Sequence, residues 1–264
     1  MRIWAVARNT LTGFFRSKIL IVFVLVFGCI LLLTLASVSA VRSLRGGGTV
    51  QQVREMALVM LASALSLVSG FGSLLAAWAA ADALGSELKS GTVLAVLARP
   101  IRRWEFLLGK FLGVELLLGI YVLCASVFTF ILTWSVGEQI YSVPWAMLVY
   151  PLVRYTIYSA IGLLLATFLP AAVAIGGTFF IFVLTNSLDA IHRVAPEWVW
   201  SVLHAILPSM NLLSETQFLV LSATPLESAS LSRHWISLAY GLDYSLVLFL
   251  LAVWVFRRRS LIRE

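Results

Sequence analysis

The sequence predicts an all-α integral membrane protein that crosses the bilayer six times, and three observations carry that reading. Of its 264 residues, 61% are apolar and only 12% are charged, where a soluble domain has about 45–50% and about 25%. Mean hydropathy is +1.00. Six apolar runs are long enough to cross hydrocarbon about 30 Å thick, which takes roughly 20 helical residues. Finally, the basic residues gather at alternate ends of those runs. So few polar groups cannot cover so much apolar surface in water, which excludes a soluble globular enzyme, a disordered tail and a fibrous repeat. The chain reads as a single transmembrane domain over residues 1–264.

The spans fall near 19–40, 57–81, 111–134, 147–169, 171–188 and 236–256. Pro170 alone separates the fourth from the fifth, which makes those two a tight helical hairpin. Before the first span, Ile3, Trp4, Val6, Leu11, Phe14 and Phe15 are interleaved with Arg2, Arg8, Arg16 and Lys18, a pattern that suits an amphipathic helix on the membrane surface. The first apolar run is longer than the 7–15 residues of a signal-peptide core, so a retained span is expected.

Six spans place both termini on one side. That side collects Arg2, Arg8, Arg16, Lys18, Lys89, Arg99, Arg102, Arg103, Lys110, Arg257, Arg258, Arg259 and Arg263. The other holds only Arg42, Arg45, Arg54, Arg193 and Arg233. The positive-inside rule puts the termini in the cytoplasm. The net charge of +7 is therefore read as topology and anionic headgroups, not nucleic acid.

Two outer loops differ in kind. Residues 42–55 contain Gly46, Gly47 and Gly48 and read as a flexible connection. The segment 189–235 carries Trp198, Trp200, Leu203 and Leu207, with Val199, Leu203, Ile206 and Leu207 at helical spacing. Short helices in the outer interface are expected there, with the tryptophans at headgroup depth.

Catalytic motifs are absent from the sequence. The sequence holds no GxxxxGK[ST] loop, no HExxH and no GxSxG. Its histidines, His192, His204 and His234, have no ligand spacing, and Cys29 and Cys124 lie apart inside apolar runs. No catalytic residue and no metal ligand is expected, and no cofactor bound by this chain.

The most specific stretch is the cytoplasmic elbow 82–106. A helix through Asp82, Glu87 and Lys89 is broken at Arg99-Pro100, because proline disfavours helix in the residue before it. A new helix then opens into the third span at Gly109-Lys110. Glu87…Gly91-Thr92, Leu97…Arg99-Pro100…Arg103 and Gly109-Lys110 together resemble the E-x-x-x-G-T…L-x-x-P-x-x-R…G-K signature of ABC-transporter permeases of the type-2 (ABC-2) membrane family. The basic start, six spans and long outer segment are similar too.

The resemblance implies a permease subunit of an exporter, whose elbow is a coupling helix. Glu87, Gly91, Thr92, Arg99, Pro100, Arg102 and Arg103 would then form the surface that docks a separate cytosolic ATPase. ATP and Mg are implied in that partner, along with a dimer of ATPases, a second permease copy or paralogue, membrane lipids around both and room for a periplasmic or extracellular accessory protein. The implied location is a prokaryotic plasma membrane, the inner one in a Gram-negative cell. The alternatives are a stand-alone secondary transporter or channel and, further off, an intramembrane enzyme. The first would bring more mid-membrane charges and an internal repeat; the second lacks its motifs.

Two charges cannot leave the membrane. Arg154 and Asp243 each lie about eight residues into their spans, roughly 20 Å above the inner end. Opposite charges at one depth have reason to meet, within one subunit or across a dimer; otherwise Arg154 snorkels outward and Asp243 faces water or a hydroxyl such as Tyr240. Small residues Ser63, Ser66, Ser69, Gly70, Gly72 and Ser73, and Gly109 with Gly113, offer close-packing faces either inside the subunit or between copies.

Overall fold

The computed structural model describes residues 2–43, 50–90, 102–136, 146–192, 196–213 and 231–258. Within them the chain is helical throughout. The helices are α1 (Arg2–Phe15), α2 (Lys18–Ser43), α3 (Val50–Ser90), α4 (Arg103–Val136), α5 (Ala146–Ala166), α6 (Ala171–Asn186), α7 (Leu188–His192), α8 (Glu197–Ile206) and α9 (Leu231–Arg258), with a 3-10 turn at Met210–Leu213. Among the described residues α2, α3, α4, α5 and α9 are long and apolar enough to cross a membrane. The sixth apolar helix, α6, has 16 residues and is about 24 Å long, shorter than the hydrocarbon core.

The α5–α6 hairpin turns where the sequence places it. Helix α5 ends at Ala166, and the amides of Thr167, Phe168 and Leu169 bond back to the carbonyls of Leu163, Leu164 and Leu165. Pro170 caps α6 at φ −60°, ψ 149°, since its ring suits an entry and it has no N–H to lose. The second span expected at 57–81 lies inside α3, where the candidate crossing among the described residues is Leu65–Lys89. Its alanine-rich stretch 76–81 packs as core.

Helices α3 and α5 form the centre, with α4, α6 and α9 packed around them. Ala76, Ala77, Ala79, Ala80 and Ala81 are almost fully enclosed. Small side chains let α5 come close, and a methyl at Gly162 would lie 3.1 Å from the Ala77 carbonyl oxygen. Tyr121, Tyr150, Tyr155 and Tyr158 fill the wider part of the core. Helix α2 leans on this centre through aromatic contacts, Phe23 with Phe71 and Trp78 at 5.1 and 5.4 Å and Phe27 with Tyr121 at 4.9 Å. Its other faces, including Leu25, Leu32 and Leu33, are exposed, as lipid-facing residues are.

The amphipathic helix α1 does not stand alone. Ala7, Thr10 and Phe14 are buried and Trp4 and Phe15 exposed. Its buried face lies in a groove on α4 made by Gly109 and Gly113. A Cβ at Gly109 would sit 2.6 Å from Val6 Cβ, and one at Gly113 would sit 2.7 Å from Thr10 Cβ. These two glycines therefore serve packing inside the chain.

Candidate functional site

At one end of the bundle α3 finishes at Ser90 and α4 begins at Arg103. The residues joining them, with Gly91, Thr92, Arg99 and Pro100 of the expected docking surface, lie outside the described residues. The stalks on either side are described, and charge ties them together. Glu87 of α3 forms an ion pair with Lys110 of α4. Lys110 is only 3% exposed and its ammonium also lies 5.7 Å above the Phe106 ring. Asp82 lies within electrostatic reach of the same ammonium. Glu87 is thus turned toward a buried cation, which needs a counter-charge.

Arg103 is also engaged. Its Nη1 donates to the Phe256 carbonyl oxygen at 3.3 Å and to that of Arg257 at 3.1 Å. Those carbonyls lie in the last turn of α9, where a cation is favoured by the helix dipole. Phe106 and Phe256, both fully buried, stack beneath at 6.2 Å. Arg102 is exposed, and its N–H donates to Glu105 Oε2 at 2.9 Å. That bond is the return half of a capping box and starts α4 cleanly. Of the expected docking residues that are described, Arg102 is the one facing outward, while Glu87 and Arg103 hold α3, α4 and α9 together.

The bundle's other end carries a second polar group. Arg154 on α5 donates from Nη1 to Ser69 Oγ on α3 at 3.2 Å and from Nη2 to Asn186 Oδ1 on α6 at 2.8 Å. Its Nε is buried and has no acceptor among the described residues. The Asn186 amide donates to the Phe182 carbonyl at 2.7 Å and to Tyr158 Oη at 3.3 Å. Tyr158 Oη in turn lies 2.9 Å from Thr185 Oγ1.

The expected Arg154–Asp243 pair is not formed within the chain. The depth estimate holds, since a Cβ on Gly241 would meet Val153 Cγ1 at 2.4 Å, which puts α9 and α5 level there. Val153 takes the side of α5 that faces α9, so Arg154, 100° further round, turns to α3 and α6. Asp243 lies 200° round α9 from Gly241 and is exposed.

One intramembrane charge escaped the sequence reading. Glu115 of α4 accepts from Thr156 Oγ1 at 2.8 Å and from Ser159 Oγ at 2.6 Å, both on α5. The signal was present, because Glu115 is the one charged residue between Lys110 and Glu138, and such a residue is a functional candidate by default.

The described part of the segment 189–235 holds the expected short helix. Helix α8 covers Glu197–Ile206 and Leu207 caps it. Trp198, Val202 and Ile206 form an exposed apolar stripe, Trp198 being 73% exposed. Leu203 and Leu207 are half-buried. Trp200 stacks on His204 at 4.9 Å and meets His192 edge-on at 4.7 Å. Tyr244 Oη donates to the Ile206 carbonyl at 2.9 Å, and the Ser209 amide donates to Tyr240 Oη at 3.0 Å. Two tyrosines of α9 thereby pin the end of α8.

No curated protein matches the chain. The family model described as "ABC-2 family transporter protein" matches residues 4–261, nearly the whole length. With apolar helices suited to several membrane crossings, two charged clusters at opposite ends and a family match from α1 to beyond α9, this chain belongs to the ABC-2 transporter family as a multi-pass membrane component.

Proposed function

We propose that this chain is the permease subunit of an ABC exporter. It forms the translocation path and is driven by a separate cytosolic ATPase that docks on the elbow between α3 and α4. The family match supports the permease role. The observation that carries the coupling role is the tie between the stalks: Glu87–Lys110 joins α3 to α4, and Arg103 joins α4 to the end of α9. A push on the elbow is thereby delivered to three helices together, because an ion pair between two helices and charged hydrogen bonds to a third resist their separation.

In this reading both termini and the elbow are cytoplasmic, and α6, extended by α7, makes the fifth of six crossings. Helix α8 lies in the outer interface with Trp198, Val202 and Ile206 toward lipid, where it helps to close the exit. The docking surface comprises Arg102 with Gly91, Thr92, Arg99 and Pro100. Glu87 and Arg103 stand behind it as ties.

The test is to reverse the outward charges, Arg99→Glu with Arg102→Glu, and co-purify the chain with its ATPase. Loss of association, or of the hydrolysis the permease stimulates, is expected. Full association with unchanged hydrolysis overturns the docking assignment. A double reversal is needed because single rim charges contribute only about 0–1 kcal/mol.

A further inference from the structure

We propose that Arg154 is an anion-recognition site that takes the oxyanion of a phosphate-bearing headgroup, the charged part of the transported molecule. The transport half of this statement rests on the reading above; the binding half stands on geometry.

The guanidinium is held but not neutralised. Its two Nη groups reach only neutral acceptors, Ser69 Oγ and Asn186 Oδ1. Its Nε has no acceptor among the described residues. Among the described residues no carboxylate lies within ion-pair distance of it, and Asp243, level with it, turns away. About eight residues of α5, or 12 Å, separate Arg154 from Ala146 at the start of that helix. A cation at that depth draws an anion, because too little water reaches it to substitute for one.

The site is also built and open. Asn186 is fixed by Phe182 and Tyr158, and Tyr158 by Thr185, so the groups that aim the guanidinium are themselves held. Asn186 is exposed and Arg154 half-buried, which leaves the fork reachable from outside the bundle. The C-terminus of α6 adds a partial negative charge, about half an elementary charge, and so offsets only part of the cation. A phosphate can displace Ser69 and Asn186, because charge-assisted bonds to a planar fork are roughly twice as strong as bonds to neutral oxygens.

The experiment uses the full chain in nanodiscs of phosphatidylcholine alone or mixed with phosphatidylglycerol, and counts the lipid retained by native mass spectrometry. Phosphatidylglycerol should be retained in preference, because its phosphate lacks the quaternary ammonium that offsets the charge in phosphatidylcholine. Arg154→Gln should weaken that retention roughly tenfold, the loss of one charged contact. Arg154→Lys, which keeps the charge without the fork, should fall between, and Arg16→Gln, in the turn after α1, should leave most of the preference intact. A parallel arm measures melting in phosphatidylcholine discs with inorganic phosphate against chloride at equal ionic strength. Phosphate protection that is lost in Arg154→Gln, without a preference for phosphatidylglycerol, makes the source a soluble anion at the same site. No preference and no protection in the unaltered chain overturns the proposal, a result that needs no variant to fold. So does an effect undiminished in Arg154→Gln. The docking test above reads ATPase association, so either idea can fail without the other.

Discussion

Removing the ammonium of Lys110 while keeping Glu87 strands a carboxylate in a packed, partly buried seam. Breaking such a pair from one side costs about 3–5 kcal/mol, whereas replacing both partners by apolar groups of similar shape is often neutral. Lys110→Met should therefore destabilise the chain strongly in a detergent melt, and Lys110→Met with Glu87→Leu should recover most of the loss. Stability of the double variant no better than that of Lys110→Met would show that Lys110 serves Asp82 or the Phe106 ring more than Glu87. This residue scale is where the sequence was least legible. Glu87 and Lys110 are 23 residues apart, and only the return of the chain through the elbow brings them together. For Arg154 and Asp243 depth could be counted along the helices, but the direction each faces could not. Direction depends on which side of α5 meets α9, and Val153 and Gly241 decide that by contact.

Among the elements, the helices themselves were legible because lipid demands long apolar runs with internally bonded backbone. The hairpin at Pro170 and the helix in the outer segment could be read for related reasons, a proline entry and apolar helical spacing. Less legible was what the small residues are for, since close packing inside a chain and between chains leaves the same trace in sequence. The structure answers for Gly109 and Gly113: they receive α1. A side chain at Gly113 has to displace Thr10 and the Ala7 carbonyl, which a Cβ would approach to 2.7 and 2.8 Å. Forcing bulk into such a contact costs about 1–3 kcal/mol when the neighbours can shift. A short helix with few other contacts is released instead. Gly113→Leu should leave the bundle folded and free α1, seen as faster amide exchange over residues 2–15 with no change over α5. Unchanged exchange in α1 would mean that the groove is not what holds it.

At the scale of the whole molecule, one chain carries one elbow, and an ATPase pair working together on a permease needs two. We therefore expect a second copy or paralogue, related by an approximate two-fold axis that brings the same surface of each copy together. The Gly109–Gly113 face is already covered by α1, so that face is not the contact, and Gly113→Leu should leave the copy number unchanged. Arg154 and Asp243 supply a sharper test. Among the described residues of its own chain each lacks an opposite charge at the depth the two share, so a two-fold axis could let each copy complete the other. Were that so, Arg154→Gln and Asp243→Asn would each break the assembly, and exchanging the two residues would restore it. With Arg154 serving an anion, native mass measurement should instead find two copies of the 29.0 kDa chain per complex in the unaltered protein and in both single variants. One copy per complex in the unaltered protein would overturn the two-fold arrangement. Assemblies lost in both single variants and regained on exchange would move Arg154 from the cargo path to the interface.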